Sequence, residues 1–350
     1  MAETEVKKYT EISKLGEFGL IKHLTEKIEL LQPSTLKGVG DDAAVIAPPA
    51  QDEVLLLSTD MMAEGIHFEL TYTPLRHLGY KAVAVNVSDI CAMNGEPTQV
   101  VVSIAVSNQY SVESLEEIYK GIKYACKEYK ADLVGGDTTS SKSGLVIDVT
   151  ILGKTKKDKV VHRSGAKTGD LVCVSGDLGA SYAGLLLLEK TKELFGKDPS
   201  LKPELQGYGY VLKNQLMPAA RVDIVELFNV SNVIPTSMID ISDGLASEIH
   251  HICEASKAGC MVEEFKIPIH EETIKVASEN GVSPLMFALG GGEDYQLLFT
   301  LNPADYKKIK DPSKITIIGE ITAAADGIKI ATKDGKLQPL TVQGWDGLKK

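Results

Sequence analysis

The sequence predicts two α/β domains facing each other across a cleft, and three observations carry that expectation. Apolar runs of strand length alternate with stretches of helical spacing through both halves of the chain. A polar stretch at 153–169, where Gly, Lys, Ser and Asp cluster between apolar runs, offers a boundary that sets an N-terminal domain at 1–153 and a C-terminal domain at 154–350. The 350 residues, 43% of them hydrophobic, can fill one large core or two of ordinary size.

The elements follow in order. Phe18, Leu20, Ile21, Leu24, Ile28 and Leu31 recur at roughly helical spacing, which predicts a helix over 15–31. Residues 43–46 and 54–57 read as strands joined by a turn containing Pro48 and Pro49. The Ala-rich stretch 75–94 suits a helix, although Ser88 and Asp89 interrupt its apolar pattern, as a cap at a short discontinuity would. A strand at 100–106, an amphipathic helix at 112–129 and a strand at 145–152 complete this half; strand direction stays open. The second half reads as a strand at 171–175, a helix at 180–188, a polar surface excursion at 191–212 and a helix starting near Pro218. A short strand at 234–239 leads into Asp240, and a helix at 244–258 follows. Strands at 295–299 and 315–318, with a helix between them, precede short strands and turns after 321. Both halves repeat strand, acidic turn and helix, without the identity that would establish an internal repeat.

Composition narrows the function classes. A formal net charge of −11 argues against broad contact with nucleic acid or an anionic membrane. Five cysteines, an odd number with no Cys-x-x-Cys pair, read as reduced thiols of a cytoplasmic protein. The first residues lack the apolar core of a signal peptide, and no segment is long and apolar enough to span a bilayer.

Six acidic clusters stand mostly beside apolar stretches: Gly40-Asp41-Asp42, Ser58-Thr59-Asp60, Ser88-Asp89, Gly135-Gly136-Asp137, Asp240-Ile241-Ser242-Asp243-Gly244 and Gly291-Gly292-Glu293-Asp294. Strand ends and tight turns that deliver carboxylates to one polar cavity need hard divalent ions to offset their repulsion, and magnesium is the expected ion. The substrate is then a polyphosphate gripped through metal. Each cluster has a plainer reading beside this one. Asp41 and Asp42 can form a surface turn, Asp60 a solvated strand end and Asp89 a local cap. Asp137 can close a capped turn before Thr138 and Thr139, while Ser242 or Asp243 can simply cap a helix. Glu293 can bind metal, touch the non-phosphate part of an acceptor, or sit in solvent. Arg163 offers a planar fork for phosphate, or a surface ion pair. His67 can bind substrate or serve structure, and Trp345 can stack on an aromatic acceptor or anchor the C-terminal segment.

Taken in order, Gly-Asp-Asp-Ala-Ala, Ser-Thr-Asp-Met, Asn-Val-Ser-Asp, Gly-Gly-Asp-Thr-Thr, Arg-Ser-Gly-Ala, Ile-Ser-Asp-Gly-Leu and Gly-Gly-Glu-Asp-Tyr resemble the thiamine-monophosphate kinase family from about Gly16 to Trp345. Aminoimidazole-ribotide synthetase and selenophosphate synthetase share its fold family. Glu-Gly-Ile-His-Phe at 64–68 together with Gly-Gly-Glu-Asp-Tyr favours the kinase branch. The resemblance implies the aminoimidazole-ribotide synthetase-like fold with mixed sheets, and a homodimer joined through its N-terminal sheet. It also implies ATP- and magnesium-dependent phosphorylation of thiamine monophosphate to thiamine diphosphate, the last step of that biosynthesis.

Carried over residue by residue, it assigns magnesium to Asp42, Ser58, Thr59, Asp60, Asp89, Asp137, Asp240 and Asp243, with Asp60, Asp89, Asp137, Arg163 and Asp240 serving catalysis. Tyr119, Gly136, Asp137, Arg163 and Ser242 match nucleotide positions; His67, Glu293 and Trp345 match acceptor positions. Direct in-line transfer then needs no covalent enzyme intermediate and no strong base. One departure stands at 215–221, where the family often has His-x-x-Pro-x-Pro-Arg and this chain has Gln215-Leu216-Met217-Pro218-Ala219-Ala220-Arg221. The expected consequence is confined to local rigidity or a peripheral contact. A related synthetase, or a noncatalytic metal- or nucleotide-binding protein, is the alternative reading.

Overall fold

Buried and half-buried residues alternate along Leu145–Lys156, the period of a strand with one face in a core. The computed structural model that contains this strand describes residues 9–40, 43–198 and 205–341, without the side chains of Glu17 and Phe18. The expectations for Asp41, Asp42 and Trp345 lie outside the described residues. The chain separates into two units. The first holds the described residues up to Pro49 with Leu57–Asn86 and Pro97–Leu152; the second holds Ala50–Leu56, Val87–Glu96 and the described residues from Gly153 onward.

The N-terminal half runs α1 (Gly16–Thr25), β1 (Thr35–Lys37), β2 (Val45–Ile46), β3 (Glu53–Ala63), α2 (Leu75–Ala92), β4 (Glu96–Val106), α3 (Val112–Glu128), β5 (Asp132–Ser140) and β6 (Leu145–Lys156). Four strands form a sheet in the order β3-β6-β4-β5. β4 and β5 are parallel with α3 as their crossover, and Ser111 caps α3 by accepting from the Ser114 amide at 3.2 Å. Leu115, Ile118 and Ile122 bury one face of that helix.

The C-terminal half begins with β7 (Leu171–Ser175), α4 (Ala180–Lys197), α5 (Gly209–Leu216), α6 (Val222–Ser231), β8 (Ser237–Asp240), α7 (Leu245–Ser256) and β9 (Gly259–Glu263). It ends with α8 (Glu271–Glu279), α9 (Pro284–Gly290), β10 (Leu297–Leu301), α10 (Pro303–Tyr306), β11 (Ile315–Thr322), β12 (Ile328–Ala331) and β13 (Leu337–Pro339). Seven strands pair in the order β13-β12-β9-β11-β7-β10-β8, all antiparallel except β12 with β9. The mixed α/β class therefore stands. Val172, Val174, Ile239 and Leu298 from the sheet pack with Leu245, Ile249 and Ile252 of α7 in its core.

Several expected boundaries move. The first helix stops at Thr25 instead of 31. α2 runs unbroken through Ser88 and Asp89, because Ser88 finds a side-chain partner without breaking the helix. The expected surface excursion at 191–212 is partly helical: α4 continues to Lys197 and α5 opens at Gly209, with 199–204 outside the described residues. The helix expected near Pro218 begins at Val222.

Candidate functional site

In the first unit, acids ride within strands rather than beyond them. β3 continues from the expected 54–57 to Ala63, so Ser58, Thr59 and Asp60 lie in mid-strand, with Thr59 and Asp60 exposed. The Thr59 hydroxyl lies across from β6, 3.3 Å from Asp148 Oδ1, 3.1 Å from the Val149 carbonyl and 3.0 Å from the Thr150 hydroxyl. Its proton serves the sheet; a cation would meet only an oxygen lone pair.

Likewise β5 extends through the Gly135-Gly136-Asp137 sequence to Ser140, instead of ending in a turn at the glycines. Its pairing with β4 slips by one residue, from Val100 opposite Leu133 to Val101 opposite Gly135. That bulge sets Asp137 opposite Ser103. Gly136 is required on steric grounds, since a Cβ there would stand 2.0 Å from the Val102 carbonyl oxygen. Asp137 is exposed.

His67 stands exposed in a tight turn after β3, its Nδ1 accepting from the Ala63 amide at 3.1 Å. That bond leaves the Nε2–H of the neutral ring to point away from the turn. Glu64, which opens the Glu-Gly-Ile-His-Phe motif but carries no expected site role, ties this turn down: its Oε2 accepts from the Tyr110 hydroxyl and the Leu145 amide, both at 2.7 Å. Tyr119 is buried on α3, and burial raises its phenol to about 12; little of the ring is offered to a nucleotide.

The second unit gathers its motifs by strand pairing. β10 runs antiparallel to both β7 and β8, so the residues following those two strands meet the residues leading into β10. The contact is made by backbone: the Ile241 amide donates to the Gln296 carbonyl at 2.7 Å, Glu293 to Ser242 at 2.7 Å and Tyr295 to Ile241 at 2.8 Å. Glu293 and Tyr295 hold φ of 57° and 50°, a left-handed region that costs a side-chain-bearing residue, so the pairing fixes them there. Gly292 is pressed on the same loop, where a Cβ would meet the Ser242 carbonyl at 2.6 Å.

Asp240 ends β8 in a buried position and accepts from the Ser88 hydroxyl at 2.8 Å. Asp89, half-buried, is the next residue along α2. Neither Ser242 nor Asp243 caps α7, whose N-cap is Gly244. Instead their amides donate to Glu248 Oε1 at 3.3 and 2.9 Å. Glu248 was not among the expected residues; its signal is an acid in the first turn of the helix after the Asp240 loop. Burial, with Asp243 and Asp240 nearby, pushes its carboxyl up to about 8, and its Oε2 has no hydrogen-bond partner among the described residues.

Asp294 is likewise buried, and raised to about 7 by desolvation. It accepts from the Gly179 amide at 2.7 Å and the Ser181 amide at 3.3 Å, capping α4 from outside the helix. The divergent 215–221 segment also meets this turn, against the expectation of a merely peripheral contact. Gln215 Nε2 donates to Glu293 Oε2 at 3.1 Å, and the Arg221 guanidinium donates to the Gln296 side-chain carbonyl. Arg163 is exposed on the loop after Val161 and has no ion-pair partner among the described residues.

Thus Ser88, Asp89, Asp240, Ser242, Asp243 and Glu293 belong to one unit, with Arg163, while Asp60, Asp137 and His67 belong to the other. Among the described residues, no three His, Cys, Asp or Glu side chains form a metal-holding group. The oxygen-only donor set nonetheless suits magnesium, and the crowded Asp240, Asp243 and Glu248 carboxyls are where a cation would relieve repulsion.

Comparisons with known proteins show what the chain as a whole is similar to. A family model described as AIR synthase related protein, N-terminal domain, matches residues 40–155. The chain is 36% identical to the thiamine-monophosphate kinase of Aquifex aeolicus (strain VF5), over 93% of this chain and 99% of that one. It is 34% identical to the thiamine-monophosphate kinase of Bacillus subtilis (strain 168), over 96% of this chain and all (100%) of the relative. Its fold is similar to that of AaThiL complexed with AMPPCP and TMP, with a TM-score of 0.72 and 33% identity across 98% of this chain and 99% of that one.

Proposed function

The chain belongs to the thiamine-monophosphate kinase family, and on that premise we propose that it transfers the γ-phosphoryl group of ATP to thiamine monophosphate. An oxygen of the acceptor's phosphate attacks the γ-phosphorus in line, the bond to the β–γ bridging oxygen breaks, and thiamine diphosphate and ADP leave. The acceptor oxygen is already nucleophilic near neutral pH, so placement is the main chemical task.

Asp60, Asp89, Asp137, Asp240 and Asp243, with Asp42, Ser58 and Thr59, would hold magnesium. Bound there, the ion supplies charge neutralisation and alignment of donor and acceptor phosphates. Gly136, required by the close approach of β4, and the Ser242 segment at the end of β8 would face the nucleotide, Arg163 offers its fork to the transferring group, and Tyr119 contributes at most a ring edge. His67, Glu293 and Trp345 hold the acceptor. The observation that carries this reading is the backbone seam between the Asp240–Asp243 loop and the Gly291–Tyr295 turn, which registers a proposed metal loop to a proposed acceptor carboxylate within one unit.

Two coarser features complete the proposal. β3 is a sheet-edge strand carrying exposed Leu55, Leu57 and Met61, which supports a homodimer formed by pairing that edge with a second copy. All five cysteines are free and buried, as suits a reducing cytoplasm. The test is to incubate purified protein with ATP, magnesium and thiamine monophosphate and identify both products, omitting each component in turn. Thiamine diphosphate and ADP formed only in the complete mixture is the expected result; ADP formed without thiamine diphosphate overturns the reading.

A further inference from the structure

We propose that Gln215 is a positioning residue for the acceptor: it aims the Glu293 carboxylate and thereby sets the affinity for thiamine monophosphate. The inference rests on the kinase reading and deepens it. Gln215 lies on α5, remote in sequence from Glu293, and is 6% exposed. Its two polar ends face two different partners. Nε2 donates to Glu293 Oε2 at 3.1 Å, while Oε1 accepts from the Ser181 hydroxyl. The amide orientation follows from chemistry, because a carboxylate only accepts and must therefore face the NH2 end. Ser181, whose amide donates to Asp294 at 3.3 Å, then has its hydroxyl proton directed to the amide oxygen.

The result is a polar relay running from the buried Asp294 through Ser181 and Gln215 to Glu293. The backbone of Glu293 is fixed separately by its bond to Ser242, at φ 57°, so that backbone direction is set without Gln215. What remains to be fixed is the side chain. Gln215 donates to it, and a hydrogen bond to a carboxylate in a half-buried site is among the stronger ones. With Oε2 so held, the direction of the carboxylate is preset for the acceptor. An acceptor with a polar or cationic group at that place gains from a preset partner; ATP, assigned to Gly136, Arg163 and Ser242 and not to the Glu293 carboxylate, does not.

The experiment compares wild-type enzyme with Gln215→Met, which keeps length and volume but removes both polar ends, Gln215→His, which restores a donor, and Ser181→Ala, which removes only the hydroxyl that orients the amide. KM for thiamine monophosphate and for ATP, kcat and Tm are measured for each. The expected result is a rise of about tenfold in acceptor KM for Gln215→Met with ATP KM unchanged, the scale of one lost charge-assisted hydrogen bond. Gln215→His recovers part of the loss, and Ser181→Ala gives a smaller rise of the same acceptor-only kind. Adding Gln215→Met to Glu293→Gln produces little further change, because the two act through one carboxylate.

The proposal is overturned if acceptor KM stays at the wild-type value in Gln215→Met, if both KM values rise together, or if the paired substitutions multiply. Should Gln215→Met fail to fold, Ser181→Ala decides on the same KM split. A wild-type enzyme that makes no thiamine diphosphate removes the parent reading instead, and that outcome is seen before any variant is compared.

Discussion

Asp60 and Asp137 stand on strands of the first unit with their side chains in solvent, whereas Asp240 in the second is buried at a strand end and already accepts a hydrogen bond from Ser88. The first pair is positioned by the sheet itself, through mid-strand placement and the β5 bulge. The second set is positioned by other side chains and by a backbone seam between two loops. The difference separates what each group can contribute. An exposed strand carboxylate adds little to the packing of the fold, while a buried one is part of it.

Substitutions at the exposed acids give the sharpest way to break this contrast. Asp60→Asn should lower turnover on the order of a hundredfold, the scale for losing a group that stabilises developing charge. Its Tm should stay near the wild-type value, since the side chain is exposed. A large fall in Tm with turnover retained would place Asp60 with the structural acids instead.

Gly136→Ala asks whether the strand geometry, rather than the carboxylate, does the positioning. A methyl group placed 2.0 Å from a backbone carbonyl forces β5 away from β4, at a cost of about 3 kcal/mol. Chemical denaturation should show that loss, together with weaker ATP use. An unchanged midpoint would mean the bulge relaxes without penalty.

On the buried side, Asp294 sharpens the comparison through pH. Its carboxyl is raised from the ordinary 3.8 to about 7 by desolvation, so the folded state holds a proton that the unfolded chain has released. Stability from this group is fully present below about pH 4 and is lost as pH rises through about 7, with a slope near 1.4 kcal/mol per pH unit in between. Asp294→Asn, which keeps a carbonyl acceptor for Gly179, should flatten that slope in pH-dependent unfolding. An identical slope in the variant would assign the titration to another group.

How much was legible follows from where the signal lies. The run 171–175 and the strand at 315 onward were readable because short apolar runs bounded by polar residues have few other uses. Asp60 and Asp137 were readable as candidates, but not as mid-strand residues, because Ser-Thr-Asp and Gly-Gly-Asp are turn-like in composition and the strand continues through them by pairing with neighbours far along the chain. The same limit hid β9, α8 and α9, whose residues drew no prediction.

Glu248 and Gln215 escaped for a different reason. Neither lies in an acidic cluster, and each acquires its role from a hydrogen bond that closes only in the fold, Glu248 to the Ser242 and Asp243 amides and Gln215 across 78 residues to Glu293. The weight given to the missing His at 215 shows the point: sequence registered a departure, and only the structure showed what the departing residue touches.

The proposed function assigns magnesium-dependent turnover to Asp60 in the first unit and to Asp240 in the second, each taken by itself. Thiamine diphosphate formation measured against magnesium concentration in wild type, Asp60→Asn and Asp240→Asn tests it most directly. Both variants are expected to need more magnesium for half-maximal rate and to fall short of wild-type turnover at saturation. Wild-type magnesium dependence in the two folded variants would contradict it.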